Sequence, residues 1–191
     1  MSRPPAAEAA PAPTLVRVLG IDPGSVVTGY GIIESDGTRS FHVAHGHIRA
    51  KGATFIERLG HIHAAIGDVV AEWRPREAAV EQVFLGSNVM SALKLGQARG
   101  AALSAVVARS IPVSEYGPRV VKQVVTGTGA AGKEQVQTMV RALLRVEEAL
   151  QPDAADGLAI AVCHAHSRVG RGASMPALPA RRRGRGRGLR L

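Results

Sequence analysis

LVRVLGIDPGSVVTGYGIIE, residues 15–34, decides the fold. Its first seven residues alternate and are rich in β-branched side chains, which predicts a strand. Asp22-Pro23-Gly24 then supplies turn chemistry, and Val26 to Glu34 reads as a second extended run, so the stretch predicts a hairpin. Because strand side chains alternate, Asp22 shares a face with Val16, Val18 and Gly20 and stands at the end of the first strand. A carboxylate at the edge of an apolar run is costly to bury unless a cation or a set of hydrogen bonds receives it.

Working outward, the Asp36-Gly37 turn and a run from Ser40 to Ile48 predict a third strand and an antiparallel meander. Residues 53–73 carry Phe55, Ile56, Leu59, Ile62, Ile66, Val69 and Val70 at helical spacing before Pro75. Glu77 to Val83 reads as a short buried strand holding Glu81, and Asn88 to Val107 as a long helix of small residues. A strand at Pro112 to Tyr116, a Gly-rich loop at 127–132, a helix from Lys133 to Leu150 and a last helix from Asp153 to about His166 complete the body. The order βββαβαβαα predicts an α/β fold in which a central, mixed five-stranded sheet is flanked by helices.

The ends differ in composition. Residues 1–14 are an Ala/Pro-rich extension and residues 168–191 a Gly/Arg tail, both expected to be disordered, and residues 15–167 form the expected folded domain. The tail holds eight Arg and no acid, and removing those eight charges from the chain's +9 leaves the remainder at +1. The high net charge therefore describes the tail rather than a basic domain, and that tail reads either as a nonspecific enhancer of affinity for polyanions or as an extension with little effect. There is neither a signal-peptide core nor a run of apolar residues long enough to span a membrane, so a soluble, cytoplasmic protein is expected. The single cysteine, Cys163, lies in an apolar run and reads as a small core residue.

Four acids form the candidate site: Asp22, Glu81, Asp153 and Asp156. The last two are three apart at a helix start, on one face and near the positive end of the helix dipole; simple N-capping is the plainer account of Asp153. Carboxylates from two strands and a helix, without a Cys/His set at zinc spacing, suit Mg²⁺ or Mn²⁺. Two such ions can clamp the attacking and leaving oxygens of a phosphodiester, which points to phosphoryl transfer.

GIDPGSVVTGYG at 20–31, VEQVF at 80–84, SALKLGQARG at 91–100 and DAADGLAIA at 153–161 together resemble the RuvC family of Holliday-junction resolvases. The likeness runs from about Val16 to His166. It implies an RNase H-like fold, a homodimer, and a Mg²⁺-dependent endonuclease that makes paired symmetric nicks in four-way DNA junctions during recombination and repair. It also implies that Asp22, Glu81, Asp153 and Asp156 are the metal-binding catalytic acids, with Asp22 bridging two ions, that Phe84 inserts among bases, that Lys122 and Lys133 contact DNA with Lys133 assisting catalysis, and that RuvA and RuvB are partners. Phe84 also reads as an ordinary core residue, and either lysine as a solvated helix residue.

Other motifs compete. GTGAAGK at 127–133 has the spacing of a phosphate loop, but Glu134 follows where a hydroxyl should hold Mg²⁺. GIDPGS is similar to the first phosphate loop of actin-like ATPases, which need two such domains; a noncatalytic junction-binding protein is the other rival. His164 or His166 could approach the site as a proton donor. Gly96 and Gly100, flanked by Ala92 and Ser104, form a small-residue stripe that faces either the sheet or a second protomer.

Overall fold

The computed structural model of the chain describes residues 14–83 and 88–172, the last four by backbone alone. Strands β1 (Val16–Asp22), β2 (Val27–Ser35) and β3 (Ser40–Arg49) form the expected meander, followed by helix α1 (Phe55–Trp73) and β4 (Glu77–Glu81). Helix α2 (Val89–Val107), β5 (Val113–Tyr116) and helices α3 (Pro118–Thr126), α4 (Lys133–Leu144) and α5 (Pro152–Gly172) follow. The sheet order is β3-β2-β1-β4-β5, antiparallel across the first three strands and parallel across β1, β4 and β5, so the expected mixed five-stranded sheet forms.

The strand alternation sorts side chains between two cores. Leu19, Ile21, Ile32, Ala78 and Val80 pack with Ile62, Ile66 and Val70 of α1 and Ala98, Ala102 and Ala105 of α2. Val18, Ile33 and Ala79 pack on the opposite face with Leu158, Ala161 and Val162 of α5 and Val121, Val136 and Val140 of α3 and α4. Burying each large aliphatic side chain contributes about 1.5–3 kcal/mol. Helix α1 starts in a capping box, in which Thr54 Oγ1 accepts from Glu57 N and the Glu57 carboxylate accepts from Thr54 N.

Three boundaries differ from the sequence reading. Helix α3 was not foreseen: Pro118 beside Gly117 reads as a breaker, yet proline suits the first helical position, where its missing N–H costs nothing. Helix α4 stops at Leu144 rather than Leu150, because Arg145 takes the left-handed conformation (φ 54°) and turns Val146 back into the core. Helix α5 continues past His166 to Gly172, and Arg168, assigned to the tail, lies in it with Nη1 3.3 Å from Glu77 Oε1. The Ala/Pro extension apart from Thr14, and the chain beyond Gly172, lie outside the described residues. Among the described residues no helix is long and apolar enough to cross a membrane.

Glycines set the approach of α5 to the sheet. A Cβ on Gly20 would collide with the Gly157 carbonyl and the Ala161 amide, and one on Gly29 would collide with the Asp153 carbonyl. The helix backbone therefore rests directly on β1 and β2, and its first turn reaches the strand ends where Asp22 stands.

Candidate active site

The parallel register pairs Ile21 with Val80, so Asp22 and Glu81 follow side by side at the carboxyl ends of β1 and β4. Each is an even number of residues from a neighbour in the α5-side core, Val18 for Asp22 and Ala79 for Glu81, so both project toward α5. Asp22 and Glu81 line one cavity of about 190 Å³ together with Asp156 of α5, Lys122 of α3 and Lys133 of α4. Asp153 stands near enough to act on Asp22 electrostatically. The loop after Asp22 is pinned by buried Thr28, whose Oγ1 accepts from Gly24 N at 3.3 Å and donates to Gly24 O at 3.2 Å.

The electrostatics are those of crowded carboxylates. Asp22 is pushed up from 3.8 to about 7, first by burial and then by Glu81, Asp156 and Asp153, against the opposing pull of Lys133. Burial and then Asp156 also raise Glu81, while Lys122 and Lys133 oppose the rise. Lys133 Nζ lies 2.8 Å from Asp156 Oδ2, and that hydrogen bond raises the lysine. Lys133 is the first residue of α4, with Gly132 as its N-cap.

The donor set is all oxygen, as hard cations require, and the field that raises Asp22 is one a divalent cation would relieve. As the side chains stand, no three Asp, Glu, His or Cys residues among those described close on a point that would hold an ion. The Lys133 ammonium instead supplies positive charge at Asp156.

Two further cavities extend the site into a groove. One of about 250 Å³ is lined by Asp22, Pro23, Glu81, Gln82, Val83, Leu95 and Pro118. The other, of about 370 Å³, is lined by Pro118, Arg119, Lys122, Gly129 and Ala130. The groove thus passes from an apolar rim, across the acids, to a basic rim, a layout that suits an extended polyanion. Arg119 was missed in the sequence; its signal was the three-residue spacing to Lys122, which means a shared face only on a helix.

Other candidates settle differently. Phe84 lies outside the described residues, which resume at Asn88. Neither His164 nor His166 lines the acid cavity. His164 is buried toward the other end of α5, with Nδ1 2.9 Å from the Tyr116 hydroxyl and Nε2 2.7 Å from Glu77 Oε2. Two or more turns of helix separate either histidine from Asp156, which removes the proton-donor role. Cys163 is buried, as expected of a core residue. Residues 127–132 serve as the loop between α3 and α4, with Gly127 at φ 80° closing α3 and Gly132 capping α4. Gly96 and Gly100 face open space, since a Cβ on either would meet nothing within 4 Å.

Known proteins resemble the chain in sequence and in fold. Residues 18–164 match the family model described as crossover junction endodeoxyribonuclease RuvC. The protein of that name from Geobacter sulfurreducens is 56% identical over 155 residues, covering 81% of this chain and 94% of its own, and that from Geobacter metallireducens is 57% identical over 153 residues, covering 80% and 93%. The solved structure of Thermus thermophilus RuvC in complex with Holliday junction substrate superposes with TM-score 0.75 at 38% identity, covering 81% of this chain and 96% of that one. The yeast mitochondrial Holliday junction resolvase Ydc2, at TM-score 0.57 and 11% identity over 84% of this chain and 83% of its own, shares the fold alone. The fold is RNase H-like, and the chain belongs to the RuvC family of crossover junction endodeoxyribonucleases.

Proposed function

We propose that this chain is a Holliday-junction resolvase that cuts four-way DNA by Mg²⁺-dependent phosphodiester hydrolysis, with Mn²⁺ able to substitute. The observation that carries the reading is the meeting of acids from β1, β4 and α5 in one basic-rimmed cavity, where burial and then the neighbouring acids raise Asp22 to about 7. Asp22, Glu81, Asp153 and Asp156 would hold the ions, Asp22 being the acid on which the other three all act. Bound there, such ions would supply Lewis-acid chemistry, polarising a phosphoryl oxygen and making water nucleophilic at neutral pH.

The chain's own residues do the rest. Lys133 offsets charge that builds on the phosphate as the water–phosphorus bond forms and the bond to the leaving oxygen breaks. Arg119 and Lys122, on one face of α3, hold the backbone of the strand entering the groove. Phe84, three residues beyond Glu81, stacks on a base opened at the crossover.

Symmetric nicking needs two sites, and a homodimer is proposed through α2. Its buried face is Ala98, Ala102, Ala105 and Val106, whereas Val89 (75% exposed), Leu93 (54% exposed), Gly96, Gly100 and Val107 form an outward stripe of apolar and small residues. Such a stripe lets two helix backbones approach closely across a two-fold axis. The proposed further partners are RuvA and RuvB.

The test is cleavage of four-way, duplex and single-stranded DNA with and without Mg²⁺, beside ATP binding. Paired nicks confined to the four-way substrate and to Mg²⁺ support the reading. Metal-independent cutting, ATP binding, or junction binding without cutting would each replace it.

A further inference from the structure

Arg99 occupies the border between the two faces of α2, one residue before outward Gly100 and one after buried Ala98. Its side chain is 19% exposed and reaches the carboxyl ends of β4 and β5 from the side of the sheet opposite α5. Nε donates to the Glu81 carbonyl at 3.3 Å, and Nη2 lies 2.8 Å from Glu115 Oε2. Glu115 is the cross-strand neighbour of Val80, as Tyr116 is of Glu81. One guanidinium therefore spans both strand ends behind the candidate catalytic carboxylate.

The position of that contact gives it consequence. The β1–β4 register ends at Ile21 and Val80, so Glu81 stands one residue past the pairing on that side. On the β5 side, Gln82 N donates to Tyr116 O at 2.8 Å, after which the chain leaves the sheet. Glu81 thus sits where the ladder runs out, half-buried and facing the like charge of Asp156, which pushes its carboxylate away while Lys122 and Lys133 draw it. A tether on its backbone opposes that push without neutralising the carboxylate, because the guanidinium's charge faces Glu115.

We propose that Arg99 is a positioning residue that holds Glu81 in place for divalent-ion binding. The inference rests on the reading of Glu81 as an ion ligand. A planar fork that reaches a carbonyl and a carboxylate in different directions suits arginine and not lysine, so Arg99→Lys keeps at most one of the two contacts.

The test compares wild type, Arg99→Met, Arg99→Lys and Glu115→Gln in four measurements: Mn²⁺ binding to the free protein by electron paramagnetic resonance, the Mg²⁺ concentration for half-maximal junction cleavage, junction affinity in Ca²⁺, and thermal unfolding. Supporting residues around metal ligands are typically worth 10–100-fold in affinity, so Arg99→Met is expected to weaken Mn²⁺ binding about tenfold and raise the Mg²⁺ requirement in parallel, with junction affinity retained. Arg99→Lys falls between, and Glu115→Gln shifts the same way by less. Wild-type Mn²⁺ affinity in Arg99→Met overturns the proposal. So does an equal loss in Ala105→Gly, which loosens α2 without touching the tether. A wild type that does not cleave in Mg²⁺ sinks the nuclease reading instead, which keeps the two failures apart.

Discussion

Asp22→Asn should make the ion-free protein more stable while abolishing cleavage, and the gain should depend on pH. Asp22 is raised from 3.8 to about 7, roughly three units, and at about 1.4 kcal/mol per unit its ionised form carries a penalty of about 4 kcal/mol in the fold. The sign follows from proton binding. A carboxyl raised on folding binds its proton more tightly in the native state, so the penalty is absent below the unfolded value near 4, grows as pH rises, and is complete above about 7. Asparagine carries no such charge. Unfolding in EDTA near pH 8 should therefore favour Asp22→Asn by up to about 4 kcal/mol, with the advantage fading toward pH 4. Even half of that moves the melting point by about 4–8 °C in a protein of this size. Saturating Mg²⁺ should narrow the gap, because a ligand that binds the native state stabilises wild type more than a variant lacking one carboxylate. No gain at pH 8, or a gain unchanged at pH 4.5, would refute the reasoning that burial and the neighbouring acids penalise the ionised Asp22 in the fold.

Other consequences concern rate, assembly and packing. Lys133→Ala removes the cation 2.8 Å from Asp156 and is expected to cut single-turnover cleavage about 10²–10³-fold, while junction affinity in Ca²⁺ changes several-fold at most. Leu93→Glu places a charge on the outward stripe of α2, so analytical ultracentrifugation should show monomers and junctions should receive uncoordinated single nicks. Gly29→Ala drives a methyl group into the Asp153 backbone, and the displaced first turn of α5 should cost both melting temperature and Mg²⁺ affinity; wild-type values for both would mean that α5 does not rest on β2 as described.

Much of this was legible in the residues because local signals agreed. The alternation in LVRVLGI, the Asp-Pro-Gly turn and the helical period of α1 each specified an element, and their order specified a mixed sheet. The acids were visible because carboxylates beside apolar runs are expensive. Their convergence was implied by the family resemblance and not by their spacing, since it depends on the β1–β4 register and on α5 lying flat against the sheet. The glycines that permit the latter, at 20, 29 and 157, carry no sign of it in the sequence, because their purpose is the approach of two backbones far apart along the chain. Helix α3 was hidden by its leading proline, and with it the shared face of Arg119 and Lys122. His164 read as a candidate proton donor because spacing along α5 does not reveal that Glu77 and Tyr116 claim both ring nitrogens.

The central claim is that Asp22, Glu81, Asp153 and Asp156 together bind divalent cations. Anomalous scattering from a Mn²⁺-soaked crystal tests it most directly. The account predicts density in the cavity within about 2.0–2.3 Å of carboxylate oxygens from Asp22 and at least one of the other three acids. Manganese bound only elsewhere, or a cavity whose acids contact no ion at saturating Mn²⁺, would contradict it.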